Sequence, residues 1–279
     1  MKPGINTPLA AALLFAFLAT ASATDAPVVP GKQPIAAPAS GLLAAAAPGP
    51  IVYVPTTRTP VRQFEWKKQI VTTVFWIGEK PTENNPTPNR SSSWDKDWSG
   101  SYGGFDDPEP SHRANLLPVA FTPRQNPFYC ALPYNDKARE GHRPEAPQVV
   151  PWFKEAYQGP AVSTCKGRWV AIRKGSKTVY AQWEDAGPFR TDHWQYVFGN
   201  ERPKPNLNQG AGLDVSPAVR DYLGLQETDV TDWKFVEFKD VPPGPWARLG
   251  DNNTFVLNRQ KSSTSVAERR KPAADVPAR

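Results

Sequence analysis

Two aspartates stand out by their setting. Asp185 lies in Trp183-Glu184-Asp185-Ala186-Gly187-Pro188-Phe189, and Asp214 in Ala211-Gly212-Leu213-Asp214-Val215-Ser216-Pro217-Ala218. Each follows a strand-like apolar run. The first run then breaks into a Gly-Pro turn, and the second into a helix start marked by Ser216 and Pro217. Carboxyl groups held by rigid elements beside a turn suit acid/base work, and cleavage of a glycosidic bond commonly uses a pair of them roughly 5–9.5 Å apart. Asp214 is the expected acid, because a strand end packed beside aromatics raises a carboxyl pKa and retains the proton. Asp185 is then the base or an orienting residue. Both also have a purely structural use, in bonding turn N–H groups or in stabilising a helix N-terminus.

Other residues extend this set. Tyr134, Asn135 and Asp136 follow Ala131-Leu132-Pro133 and are placed to line the same groove, with Asp136 as a further acid/base group. An Asn-Asp turn bonding its own backbone is the simpler reading of that stretch. His193 and Trp194 lie between the two main aspartates, where a surface loop is the simpler reading. Sugar rings stack on aromatic planes, so the ten tryptophans bear on binding. Trp94, Trp98, Trp152 and Trp194 fall in loops and are the candidate platforms, whereas Trp76, Trp169, Trp183 and Trp233 fall in strands and belong to a core. Asp95-Lys96-Asp97-Trp98-Ser99-Gly100 with Asp106 has the ligand spacing of a calcium loop, but no helical pattern flanks it. A solvated acidic loop is favoured there, so no metal and no cofactor enters the expected chemistry.

The elements that must position these residues occupy only part of the chain. Residues 1–23 have the form of a cleavable export signal: Lys2, an apolar run from Leu9 to Leu18, then Ala21-Ser22-Ala23. That run is too short to span a membrane. Residues 24–62 are rich in Pro and Ala without periodicity and read as a disordered linker, and 259–279 as a disordered basic tail. The two ends carry the net positive charge, leaving residues 63–258 at −1 out of the total of +6. Basicity is therefore a property of the ends, and nothing in 63–258 resembles a nucleic-acid platform. A secreted or periplasmic protein that does not span the membrane is expected. In that compartment Cys130 and Cys165 are expected to form a disulfide.

Residues 63–258 read as mainly β. Gln69–Ile77, Leu116–Phe121, Phe128–Leu132, Arg168–Arg173, Thr178–Trp183 and Trp233–Phe238 are the expected strands, and Lys174–Lys177 is a hairpin turn. Pro217–Leu223 is the one expected helix, capped by Ser216 and stopped at Gly224. Long irregular insertions cover 79–115 and 135–164. Short strands with one small helix suggest a closed barrel, since closure removes exposed edges.

The order of strand, hairpin, Asp-x-Gly-Pro-Phe turn, Asp-Val-Ser-Pro-Ala helix start and final strand resembles the double-psi β-barrel of rare lipoprotein A, expansins and related endoglucanases. The resemblance covers Gly167 to Phe238 most closely and extends back to Thr72, with Phe75-Trp76-Ile77-Gly78-Glu79 at the opening strand. It implies a six-stranded double-psi barrel that binds a cell-wall polysaccharide, either peptidoglycan or a cellulose-like polymer. It places Asp185 in a peptidoglycan-cleaving site. It also puts Asp214 where expansins, the endoglucanases and the membrane-bound lytic transglycosylase A group carry a general acid. The chain departs from the pattern at three points: Tyr129 and Cys130 stand where a histidine precedes the Ala-Leu-Pro loop, Ala186 replaces an arginine, and Gly212 replaces the histidine of a His-Phe-Asp signature. A wall-binding module without cleavage is the alternative that these departures keep open, and a structural or partner-binding barrel is another.

Overall fold

A computed structural model describes residues 62–82, 85 and 88–269. The expected export signal at 1–23, the linker up to residue 61 and the end of the tail from residue 270 lie outside the described residues.

Six strands close into one barrel: β1 (Lys67–Val74), β2 (Tyr129–Leu132), β3 (Trp169–Lys174), β4 (Lys177–Ala186), β5 (Leu213–Val215) and β6 (Thr228–Val236). Their order around the barrel is β1-β6-β3-β4-β2-β5, returning to β1. The β4/β2 and β5/β1 pairs are parallel and the other four are antiparallel. Ile70, Val71, Thr72, Thr73 and Val74 make β1 a β-branched run, which suits a pleated, partly buried surface. The β3–β4 hairpin turns at Gly175, whose φ of 57° a two-residue hairpin loop favours. Trp169, Trp183 and Trp233 are buried as expected, with Val170, Ile172, Val179, Ala181, Leu213 and Val215 around them, whereas Trp76, also expected in the core, lies past the end of β1 and is partly exposed. Apolar burial of this kind is the main stabilising contribution to such a barrel.

Among the described residues six α-helices accompany the strands: α1 (Trp98–Tyr102), α2 (Ala146–Val149), α3 (Phe153–Ala156), α4 (Trp194–Val197), α5 (Pro217–Leu223) and α6 (Thr254–Arg269). The helix start at α5 is as read from the sequence: Ser216 accepts from the Val219 N–H at 3.3 Å, and Gly224 closes the helix at φ 71°. Helices α1 to α3 are single turns inside stretches read as irregular and α4 is one in a stretch read as a surface loop; all are too short to show a 3.6-residue period. Helix α6 runs across residue 258, where the sequence suggested the folded part ends.

The 79–115 insertion packs against the barrel. Gly78 and Glu79 exchange backbone bonds with Asn89 at 2.8 and 3.1 Å, and Asp106 N–H donates to the Ile77 carbonyl at 2.9 Å. Phe75, Ile77, Trp98, Tyr102, Tyr129 and Ala131 form a second buried cluster beneath it. Within the fold Asp106 is fully buried and accepts from Arg113 at 2.6 Å and from the Tyr129 hydroxyl at 3.0 Å. The carboxylate that would have closed a calcium loop is thus committed to an arginine. Asp97 likewise caps α1 by accepting from the Gly100 N–H.

The expected disulfide is absent. Cys130 and Cys165 are both buried free thiols. Cys130 is fixed in β2 between Trp183 and Val215, while Cys165 follows Thr164, which is tied to Asp136. Each fills the apolar interior as a small hydrophobe. Burial pushes both thiol pKa values well up, so both remain protonated.

Candidate functional site

The barrel register brings Asp185 and Asp214 together. In β2, Ala131 pairs with Asp185 of β4 on one side and with Asp214 of β5 on the other. Two strand spacings place the aspartate Cα atoms roughly 10 Å apart. The register skips Glu184, so β4 carries one extra residue between the partners of Cys130 and Ala131. Such a bulge re-aims the side chains beside it. Both aspartates line one open cleft of ≈ 340 Å³, with Ser93, Ala131, Gly187 and Phe189 among its walls. Gly187 leaves room there: a Cβ on it would lie 3.7 Å from Asp214 Oδ2 and 3.9 Å from the Ala131 Cβ.

The two carboxyl groups differ in their partners. Asp214 accepts a bond from the Thr73 hydroxyl of the neighbouring parallel strand β1. Burial raises its pKa to about 7, helped by the charges of Glu79 and Asp185 and opposed by Thr73. Asp185 Oδ1 accepts from the backbone N–H groups of Ser93 and Ala186, each at 2.7 Å. Burial raises it less far, to about 6, because those two donors favour the charged form. Near neutral pH the pair therefore holds a proton preferentially on Asp214, while Asp185 is mostly ionised. Two carboxyl groups set apart in this way have the arrangement that acid/base chemistry would need.

The remaining sequence candidates fall elsewhere. Asp136 is fully buried and serves as a staple: its oxygens accept from Ser163 Oγ at 2.6 Å, Thr164 N–H at 2.7 Å and Thr164 Oγ1 at 2.9 Å. It joins the two ends of the 135–164 insertion and does not line the aspartate cleft, so acid/base work is not its place. Tyr134 is buried edge-on against Phe198, with ring centroids 5.2 Å apart. Trp152 is buried as well, and its Nε1 donates to the Thr164 carbonyl at 2.7 Å. His193, read as a surface residue, is buried at the start of α4, with Nε2 3.0 Å from Glu201. Trp194 packs against the core.

Asn135 does reach the site's support. It accepts from the Trp94 indole N–H at 2.8 Å, and Trp94 follows directly on Ser93, a donor to Asp185. The loop tryptophans form no exposed row, since Trp98 and Trp152 are buried and Trp94 and Trp194 only partly exposed. The exposed ring on the cleft is that of Phe189, at 42%.

Thr73, Ser93 and Phe189 are the site residues that no sequence pattern assigned. Phe189 belongs to the quoted turn and carried a visible signal. Thr73 sits in a strand whose β-branched pattern concealed its polar role. The Ser93 backbone N–H has no signature of its own.

Among the described residues no group of three or more His, Cys, Asp or Glu side chains is arranged to hold a metal ion. No helix among them is long and apolar enough to cross a membrane. The fold and site define a closed six-stranded mixed β-barrel with a two-carboxylate cleft on the two strands that flank β2. No protein-family model matches the chain, and no curated protein matches it significantly.

Proposed function

We propose that the chain is an exported double-psi β-barrel that binds a cell-wall polysaccharide in the Asp185/Asp214 cleft and cleaves it, with Asp214 as the general acid. The observation that carries this reading is the Ala131 register, which sets a carboxyl group with pKa about 7 beside one with pKa about 6 in a single open cleft. Asp214 donates its proton to the glycosidic oxygen as the C–O bond breaks. A hydroxyl then attacks the oxocarbenium-like carbon, and the Asp214 carboxylate takes back the proton that this hydroxyl loses.

One oxygen of Asp185 is already occupied by two backbone donors, which suits it to hold charge beside the reacting carbon more than to activate water. This favours attack by a hydroxyl of the sugar itself, as in a lytic transglycosylase. Phe189 offers a ring for stacking at the rim.

Incubating the protein with purified peptidoglycan, and separately with cellulose, followed by mass spectrometry of soluble products, tests the proposal. Release by wild type and not by Asp214→Asn is the expected result. Sedimentation with the polymer without release would support the wall-binding module instead, and the absence of both release and sedimentation would overturn any glycan role.

A further inference from the structure

A second cleft, of ≈ 380 Å³, adjoins the first. Thr73 and Glu79 line it, and each is bonded to a residue of the first cleft: Thr73 donates to Asp214, and Glu79 accepts from Asn89 at 2.7 Å. The partly exposed Trp76 lies on its wall with Glu109, Glu227 and Arg220. The Arg220 guanidinium is already engaged, donating to the Pro108 carbonyl and to Asp221 Oδ1, both at 2.8 Å. Two exposed glutamates, Glu109 and Glu227, and the buried Glu79 therefore line the cleft with one compensated cation. An aromatic plane with carboxylate acceptors around it is the chemistry that recognises a sugar bearing hydroxyl or amine donors. A sugar bearing a carboxylate would be repelled.

We propose that the substrate groove continues from the Asp185/Asp214 cleft past Thr73 into this second cleft, where Trp76 stacks the adjoining sugar unit and Glu79, Glu109 and Glu227 admit only a unit without an anionic substituent. This rests on the glycan reading above and specifies its substrate. In a polymer that alternates neutral and acid-bearing sugars, the neutral unit occupies this cleft, which fixes which of the two linkages meets Asp214.

Calorimetric titration of the full-length protein with a neutral N-acetylglucosamine hexamer, and with an oligogalacturonate of equal length, tests it. Wild type should bind the neutral hexamer and show no heat with the uronate. Trp76→Ala should weaken the neutral hexamer about tenfold, the scale of one aromatic stacking contact, and Trp76→Phe should restore most of it. Glu109→Gln/Glu227→Gln should let the uronate bind, and matching melting temperatures would show that these variants fold.

If Trp76→Ala binds like wild type while Phe189→Ala loses affinity, all recognition lies in the first cleft; the second-cleft proposal then fails and the glycan reading survives. Equal binding of uronate and neutral hexamer by wild type would overturn the charge selection. If wild type binds neither these nor peptidoglycan fragments, the glycan reading itself fails.

Discussion

Asp185 and Asp214 stand on either side of Ala131, one joined to it through a parallel strand pair and the other through an antiparallel pair. One small residue in the middle strand thus separates a carboxyl group bonded to backbone N–H groups from one bonded to a hydroxyl. The pairing is a property of the barrel's closure, since β4 and β5 approach each other only because β2 lies between them.

The proposed acid role of Asp214 predicts a steep chemical effect with a small structural one. Asp214→Asn should lower glycan release by on the order of 10²–10⁴, measured from product formation. Activity of the wild type should fall as pH rises through about 7, because the acid must be protonated. Thr73→Val removes a bond that favours the charged form. It should therefore move that alkaline limb upward in a pH–rate profile while lowering the plateau.

Glu184 is the extra residue of β4, and its buried carboxyl group has a pKa raised to about 7 by burial. Oε1 accepts from Asn252 at 3.0 Å, while Oε2 has no hydrogen-bond partner. A carboxyl pKa raised on folding means that the folded state holds the proton more tightly. Its stabilising effect is complete below the unfolded value and is lost as pH rises through about 7. The displacement from 4.5 to about 7 is worth on the order of 3 kcal/mol. Between pH 5 and pH 8 the melting temperature should fall, by roughly 5–10 °C from this group alone. Glu184→Gln keeps the acceptor for Asn252 and should flatten that fall, as scanning calorimetry at several pH values would record.

Buried, protonated thiols make a simple chemical prediction. Native protein should react slowly or not at all with a thiol reagent, and protein unfolded in guanidinium without reductant should release two thiols. A count of zero after unfolding would mean that Cys130 and Cys165 are oxidised in the isolated protein.

Arg113 and Asp106 anchor the 79–115 insertion, with Arg113 also bonded to Asp221 at 3.0 Å. Arg113→Ala leaves Asp106 buried and uncompensated and should cost about 3–5 kcal/mol in denaturant unfolding. Because Asp106 and Asp97 are already engaged within the fold, calorimetric titration with calcium should show no heat.

Much of the barrel was legible in the sequence because β-branched and aromatic runs have few other uses. The β1 run, the β3–β4 hairpin with its glycine turn and the capped helix α5 fall within a few residues of where the sequence put them. The single-turn helices were not legible, and neither was the continuation of α6 past residue 258, since it lacks a strong apolar face. Asp136 shows why a candidate site residue goes astray. Its neighbours Tyr134 and Asn135 follow the right loop, yet its acceptors are filled by Ser163 and Thr164, and no local pattern announces that contact.

The sequence by itself determined that Asp185 and Asp214 each end a strand, because apolar alternation and the turn or cap that follows are local properties. It did not determine that a bulge at Glu184 brings Asp185 into register with Ala131, that the Thr73 hydroxyl bonds Asp214, or that Cys130 and Cys165 remain unpaired thiols. Those depend on which strands become neighbours when the barrel closes and on what burial does to a carboxyl group or a thiol. Both are decided by contacts between residues far apart in the chain.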